Sequence, residues 1–479
     1  MVDNQYINKI RVNEMSVKVI GNREIVQADG TVYSARKDLR PFSVSPLEPY
    51  IPLVGMGEIE RLLEIAQRLK GLKLLELSAT ARGGGVAEML YGSIPFLNSL
   101  GIDAEWKVLN GETHFFECTK EMHNLLQGKI GSFTPEMAYV YFRQLEELAA
   151  GNLIDYAPDV VLVHDPQPMG LTRFLRKNGE KWMWRCHIDI EPVIGYGNGV
   201  LSALTDLMRG YDASIFSAVE YVHPRWNMPK YVIPPFIDPL SEKNRELSRN
   251  EIASVLSRYQ IDPSLPIIAQ IGRFDPWKGL DRTVAVYRRV KQEKDCQLVI
   301  AGGFAGDDPE GERIYEEIID KTKDDRDIHV LKLSLENREE NYREVNALQR
   351  SASVIMAPSI REGFGLVVAE ALWKGKPVIG SNTGGISFQI IDGYNGYFYR
   401  NSKITAQKVL NLLNNPALAA AMGRNGREHV KIHFIMPARV ADLLAAIDIT
   451  MNLSRDKTIH TDCITCFRPW SRTSKHNIN

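Results

Sequence analysis

The sequence predicts an α/β protein of two Rossmann-like, doubly wound domains that face each other across a central cleft. Three observations predict it. From Gly71 onward, short apolar strands alternate with amphipathic helical stretches, the pattern of a parallel sheet covered by helices. That rhythm breaks at Pro234-Pro235 and the polar run FIDPLSEKNRELS, then restarts. The length of 479 residues exceeds one ordinary core and suits two domains of about 200 residues each.

In chain order, residues 1–70 are an extension with a β-like patch, SVKVIGNREIVQADGTVYS, in which GN and ADG mark turns. The first domain, placed at 1–235, takes its strands from LKLLELS, DAEWKVLN, DVVLVHD, WMWRCHID, ASIFSA and YVIPP. Helices such as VAEMLYGSIPFLNSL and PEMAYVYFRQLEELAAG lie between them. The second domain, placed at 236–435, takes PIIAQIGRF, QLVIAGG, IHVLKL, ASVIMAPS, KPVIGSN and GYFY. Residues 456–479 are polar and aperiodic and are expected to be disordered.

Composition narrows the partners. There are 58 basic and 59 acidic residues, a net charge of -1, which argues against broad attraction to nucleic acid or an anionic membrane. Small molecules are the expected partners, and a homodimer is one arrangement left open. The start, MVDNQYINKIRVNEM, lacks the basic flank and apolar run of a secretory signal. No run approaches the roughly 20 apolar residues that span a bilayer, so a cytoplasmic location is expected. The five cysteines, Cys118, Cys186, Cys296, Cys463 and Cys466, fit a reducing compartment.

In a doubly wound sheet, ligands sit beyond the C-terminal ends of the strands, so the residues that follow each strand carry the candidate chemistry. TARGGGVAEML follows the first strand and opens a helix. Its three glycines let a diphosphate or sugar oxygen approach the backbone and the helix N-terminus; a plain tight turn is the alternative. GRFDPWKG places Arg273 and Lys278 at the end of the next domain's first strand, where two cations can stabilise a departing pyrophosphate. Solvated surface cations are the alternative there.

SIREGFGLVVAE follows ASVIMAP and holds Glu362 and Glu370. Gly363 and Gly365 keep Glu362 out of regular helix, and a helical rise of about 1.5 Å per residue sets the two carboxylates on the order of 8 Å apart along one direction. That span suits a hexose and a ribose at opposite ends of a diphosphate. Glu362 would hold the sugar, the amides of Gly363, Phe364, Gly365 and Leu366 the phosphates, and Glu370 the ribose. An exposed helix glutamate, for Glu370, and an ion pair with Arg361, for Glu362, are the alternatives.

HDPQP and RCHIDIEP bring the pairs His164/Asp165 and His187/Asp189 to two strand ends. Such residues bind sugar hydroxyls, although a structural histidine satisfies either pair taken singly. In the tail, Cys463 and Cys466 with His460 and His476 offer four metal donors. Their spacing and the lack of apolar surroundings speak against a zinc site, and no metal is expected.

The succession GGGVAEML, HNLLQG, HDPQP, WRCHIDI, IPPFIDPLSEKN, GRFDPWKG, DDPEGE, EVNALQRSA and SIREGFGLVVAEALWKGKPV resembles the retaining glycosyltransferases that make trehalose from a nucleotide-activated glucose and glucose, kin of the trehalose phosphorylases. The resemblance implies the GT-B fold, with acceptor on the first domain and nucleotide on the second. It implies Arg273 and Lys278 for the diphosphate, Glu370 for the ribose, and Glu362 with Gly363 to Leu366 for the donor glucose. It also implies Gly84 and Gly85 against the donor, His187 and Asp165 near the reacting centre, and a last helix at 436–451 that returns to the first domain. NDP-glucose would be a co-substrate; no tightly bound cofactor is implied, and a divalent cation is allowed but not required. Trehalose phosphorylase, a nucleotide-sugar 2-epimerase and a non-catalytic sugar binder remain as alternative functions.

Overall fold

The computed structural model describes residues 47–452, except 82–83, 152, 155, 178, 191–198, 223–225, 304–309 and 335–336. It also describes the strands Glu24–Val26, Thr31–Ser34, Phe42–Ser43 and Ile464–Cys466, the first three of which form a small antiparallel sheet.

The first domain holds β1 (Lys73–Ser78), β2 (Asp103–Val108), β3 (Val160–His164), β4 (Lys181–Cys186), β5 (Ala213–Phe216) and β6 (Lys230–Val232). They run parallel in the order β2-β1-β3-β4-β5-β6. The second holds β7 (Ile267–Ile271), β8 (Gln297–Gly302), β9 (Ile328–Lys332), β10 (Val354–Ala357), β11 (Val378–Gly380) and β12 (Gly396–Phe398). Their order is β9-β8-β7-β10-β11-β12, again parallel. Each central strand is covered on both faces, which is why these segments read as continuous apolar runs. Each sheet reverses its winding once, between β1 and β3 and between β7 and β10. A crevice opens at such a point beyond the strand ends.

One expectation needs correction. The tail, residues 456–479, was expected to be disordered, yet Ile464–Cys466 pairs parallel with β6 as a seventh strand. The edge of β6 presents a row of backbone donors and acceptors that any extended segment can satisfy. The rest of the tail, with the four possible metal donors' side chains, lies outside the described residues.

Helices α1 (Met56–Arg68), α2 (Gly85–Ser99), α3 (Thr113–Leu126), α4 (Arg338–Ser351), α5 (Leu366–Trp373) and α6 (Met436–Asn452) matter most for the site. The chain passes between the sheets twice, and the two passes touch. The Ile237 N–H donates to the Phe434 carbonyl at 2.9 Å, and the Met436 N–H donates to the Ile237 carbonyl at 3.0 Å. Beyond that bridge, α6 packs on the first sheet, burying Met436, Val440, Leu444 and Ile447 with Leu62 and Ile65 of α1.

A buried charge fixes this last helix. Asp442, 0% exposed, accepts from Arg61 Nη2 on α1 at 2.6 Å and pairs with Arg439 Nη2 at 2.9 Å. Removing one partner of a buried ionic group leaves the others uncompensated. Asp442→Ala should therefore lower the unfolding free energy by about 3–5 kcal/mol in urea titrations.

Candidate active site

A cleft of about 650 Å³ lies between the C-terminal ends of the two sheets and is lined from both domains. On the second-domain side, β7 ends at Ile271 and the chain turns through Arg273 into a short 3₁₀ turn, Pro276–Lys278. Gly279 closes that turn at φ +65°, and a Cβ there would lie 2.4 Å from the Pro358 carbonyl oxygen. Only glycine lets the turn press against the loop after β10. The contact brings Lys278 Nζ to 2.5 Å from Glu362 Oε2, which also accepts from Ser359 Oγ at 3.2 Å.

Arg273 precedes the 3₁₀ turn, its Nη2 3.9 Å from Asp275 Oδ2. That carboxylate also holds Lys120 Nζ of α3, from the opposite domain, at 3.3 Å. Burial works against the Asp275 charge, but Lys120, Arg273 and Lys278 outweigh it and hold the carboxyl down at about 2. Arg273 and Lys278 are thus cleft residues tied to acids, rather than freely solvated cations.

Glu370 is 2% exposed, so the reading of it as an exposed helix residue fails. It lies one turn into α5, whose N-cap is Gly365 at φ 81°. Lys243 Nζ sits 2.9 Å from its Oε1, and Gln349 Nε2 donates to its Oε2 at 3.0 Å. Lys243 also pairs with Glu88 of α2, so one amine joins acids from both domains. Burial would push the Glu370 carboxyl up, but Lys243, Lys374 and Gln349 pull it below its ordinary value. For Glu88 burial prevails over Lys243, and its carboxyl is raised.

Across the cleft, Asp165 follows β3 with φ 63°, a left-handed conformation uncommon outside glycine. Its Oδ1 accepts the His187 N–H at 2.7 Å, and its carbonyl accepts from Trp184 Nε1 at 2.9 Å. His187 is held from the other domain as well: a Cβ on Gly363 would fall 1.9 Å from the His187 carbonyl oxygen. Tyr221 Oη donates to the Gly363 carbonyl at 3.1 Å. The His187 ring bonds through Nε2 to His164 Nδ1 at 2.9 Å, and burial, then Arg185 and His164, holds its pKa well below the usual range. Phe364 packs edge-on against Phe434, its carbonyl held by Gln389 Nε2 at 2.6 Å. Gly85 opens α2 in contact with Leu366, to which a Cβ would come within 3.1 Å.

Among the described residues, no group of three or more His, Cys, Asp or Glu side chains could hold a metal ion, and no helix is long and apolar enough to cross a membrane.

Residues 76–223 match the family described as trehalose synthase, N-terminal domain, and residues 256–429 match glycosyl transferases group 1. The trehalose synthase of Pyrococcus horikoshii is 44% identical over 394 residues, spanning 81% of this chain and 93% of that protein. The chain belongs to the trehalose synthase family of glycosyltransferases. A trehalose phosphorylase of Pleurotus sajor-caju is 29% identical over 421 residues, 74% of this chain and 54% of that one. Among solved structures, an α,α-trehalose-phosphate synthase (UDP-forming) from Burkholderia vietnamiensis superposes with a TM-score of 0.62 at 13% identity, covering 80% of this chain and 98% of that one. That likeness shows the fold, the two-domain GT-B arrangement.

Within this trehalose synthase family member, the predicted site residues come together with one exception. Gly84, Gly85, Asp165, His187, Arg273, Lys278, Glu362, Gly363, Phe364, Gly365, Leu366 and Glu370 all line the cleft. Asp189 is buried behind it, accepting from Gln127 Nε2 at 2.5 Å with Arg361 Nη1 3.9 Å away. Burial raises its carboxyl to about 6, against the pull of Gln127 and Arg361. It therefore supports Gln127 and Arg361, which do line the cleft.

Reading the sequence missed Lys120, His123 and Gln127 on and just after α3, and Lys243 and Arg338 beyond the domain crossing. The first three recur at helical spacing opposite the buried Phe115, Cys118, Met122 and Leu125, a polar stripe that looks the same whether it faces water or a ligand. Arg338 stacks 3.9 Å from the Tyr91 ring, joining α4 to α2.

His123 makes a pH prediction. Burial first, then Lys120 and Arg273, lowers its pKa to about 3, against Asp275 and Gln127. The unfolded chain, at about 6.5, takes up the proton first, so folding stability is lost as pH falls from about 6.5 toward about 3. His123→Asn should flatten the decline of the urea midpoint between about pH 6.5 and about pH 5. An unchanged slope would remove His123 from the balance.

Proposed function

We propose that the chain transfers glucose from an NDP-glucose, ADP- or UDP-glucose, to the anomeric hydroxyl of glucose, giving α,α-trehalose with retention at the donor carbon, and that the transfer is reversible. The observation that carries this reading is that one cleft holds Arg273, Lys278 bonded to Glu362, and Glu370, with His187 from the other domain. It offers cations for a diphosphate and a carboxylate at each end of a sugar nucleotide.

The acceptor hydroxyl would attack the donor carbon on the face from which the phosphate leaves. The bond from carbon to phosphate oxygen breaks as the new glycosidic bond forms, and the acceptor proton passes to the departing phosphate oxygen. Arg273 and Lys278 stabilise the charge on that leaving group. Glu362 and the backbone from Gly363 to Leu366 hold the donor glucose, and closure around it aligns the reactants. Glu370 would take the ribose hydroxyls, which must share its carboxylate with Lys243 and Gln349. No tightly bound cofactor enters, and no step requires a divalent cation.

One observation favours a second reading. Both Glu370 oxygens are already satisfied by protein groups, so the cleft is also compatible with a phosphorylase that uses inorganic phosphate in place of a nucleotide.

Incubation with trehalose and ADP, UDP or phosphate separates the readings. NDP-glucose as product supports the proposal, glucose 1-phosphate supports the phosphorylase, and no turnover with any of the three contradicts both. Arg273→Ala should lower kcat by about 10²–10³-fold, and near-normal kcat would contradict the assigned role.

A further inference from the structure

Glu76 has no part in the scheme above. It is a charged residue in β1, 1% exposed, among the buried Leu74, Leu75 and Leu77 of the same strand. Its Oε2 lies 2.7 Å from His164 Nε2, and His164 Nδ1 lies 2.9 Å from His187 Nε2. The two imidazole planes are 13° apart with centroids 5.2 Å apart, a spacing that fits an in-line bond between nearly coplanar rings. The other oxygen, Oε1, is buried without a hydrogen bond. A buried carboxylate costs stability that an apolar residue would not, so this chain of three groups is not explained by packing.

We propose that Glu76 and His164 are positioning residues that fix the proton of His187 on Nε2, so that its Nδ1 acts as a hydrogen-bond acceptor for a sugar hydroxyl in the cleft. The inference rests on the glucosyl-transfer reading for its ligand, but not for its geometry.

The direction follows from donor and acceptor rules. An ionised carboxylate only accepts, so His164 must carry its proton on Nε2. A neutral His164 then offers a lone pair at Nδ1, so His187 must donate from Nε2. A neutral His187 is left with a lone pair at Nδ1, which makes no hydrogen bond among the described residues, while the residue itself lines the cleft. The tautomer of one ring thus sets the chemistry of the next. Arg185 on β4 is buried alongside, its charge acting on Glu76 and on Asp165. Burial and the same guanidinium oppose a positive charge on either ring. An imidazolium at His164 would reverse the chain and turn His187 Nδ1 into a donor.

Nitrogen-15 NMR of histidine-labelled, full-length wild-type protein near neutral pH reads the tautomers directly. The expected result is Nε2–H with unprotonated Nδ1 for both His164 and His187. A proton on His187 Nδ1 would overturn the proposal without any variant. Glu76→Met should give mixed tautomers and lower kcat/KM by about 10–100-fold, the scale of loss seen when the carboxylate behind a metal-bound histidine is removed. Glu76→Gln, which keeps an acceptor oxygen, should restore both the tautomer and most of the activity. A Glu76→Met protein that folds and keeps kcat/KM within about twofold of wild type would also overturn it. Because the spectrum is taken on the resting protein, the expected tautomers in a protein that forms no sugar product would contradict the transfer reading alone.

Discussion

The cleft depends on one close approach, that of Gly363 to the His187 carbonyl. There the loop after β10 meets the loop after β4 with no room for a side chain, and the C-terminal ends of two separate sheets become walls of one site. Around that point the domains are joined by polar links. Lys120 reaches Asp275, Trp277 Nε1 donates to Asn124 Oδ1 at 3.1 Å, Lys243 spans Glu88 and Glu370, and Tyr221 holds the Gly363 carbonyl. The bridge between Ile237 and Ile435 lies where the chain crosses, so the links act between domains already joined at that crossing. Polar links of this kind can be exchanged for ligand contacts, which a continuous apolar interface could not allow.

The same residues show how the cleft stores its charge. Lys278 rests on Glu362, Lys120 and Arg273 on Asp275, Lys243 on Glu88 and Glu370, and Arg361 near Asp189. Each cation is placed by an acid and kept from collapsing onto another. An anionic ligand that enters takes over cations already oriented, so little reorganisation is left for the reacting step. The cost is competition, because the ligand must displace or share each carboxylate.

Much of this was legible in the sequence because it rests on local signals. Strands buried on both faces must be apolar along their length, and all twelve segments read as strands lie in the two sheets. Site loops are legible where they directly follow such strands, as Arg273, Lys278, Glu362 and His187 do. What depends on distant partners was not legible. The buried Glu370 is paired by Lys243, far away in the chain, and the role of α3 is set by a domain that its own polar stripe does not mention. Asp189 looked equivalent to Asp165, but only Asp165 turns into the cleft, through a left-handed backbone that no residue type announces. The strand Ile464–Cys466, three residues long, is too short for a periodic signal.

The central claim is that transfer requires the two loops to touch at Gly363. Gly363 has no left-handed backbone to lose, so Gly363→Ala adds only a methyl group against the His187 carbonyl. The deciding measurement is the trehalose-forming rate of this variant beside its thermal unfolding. The fold should stay intact while the rate falls by about a hundredfold or more, as a misplacement of about 1 Å at a reacting centre produces. A variant that forms trehalose at the wild-type rate would contradict it.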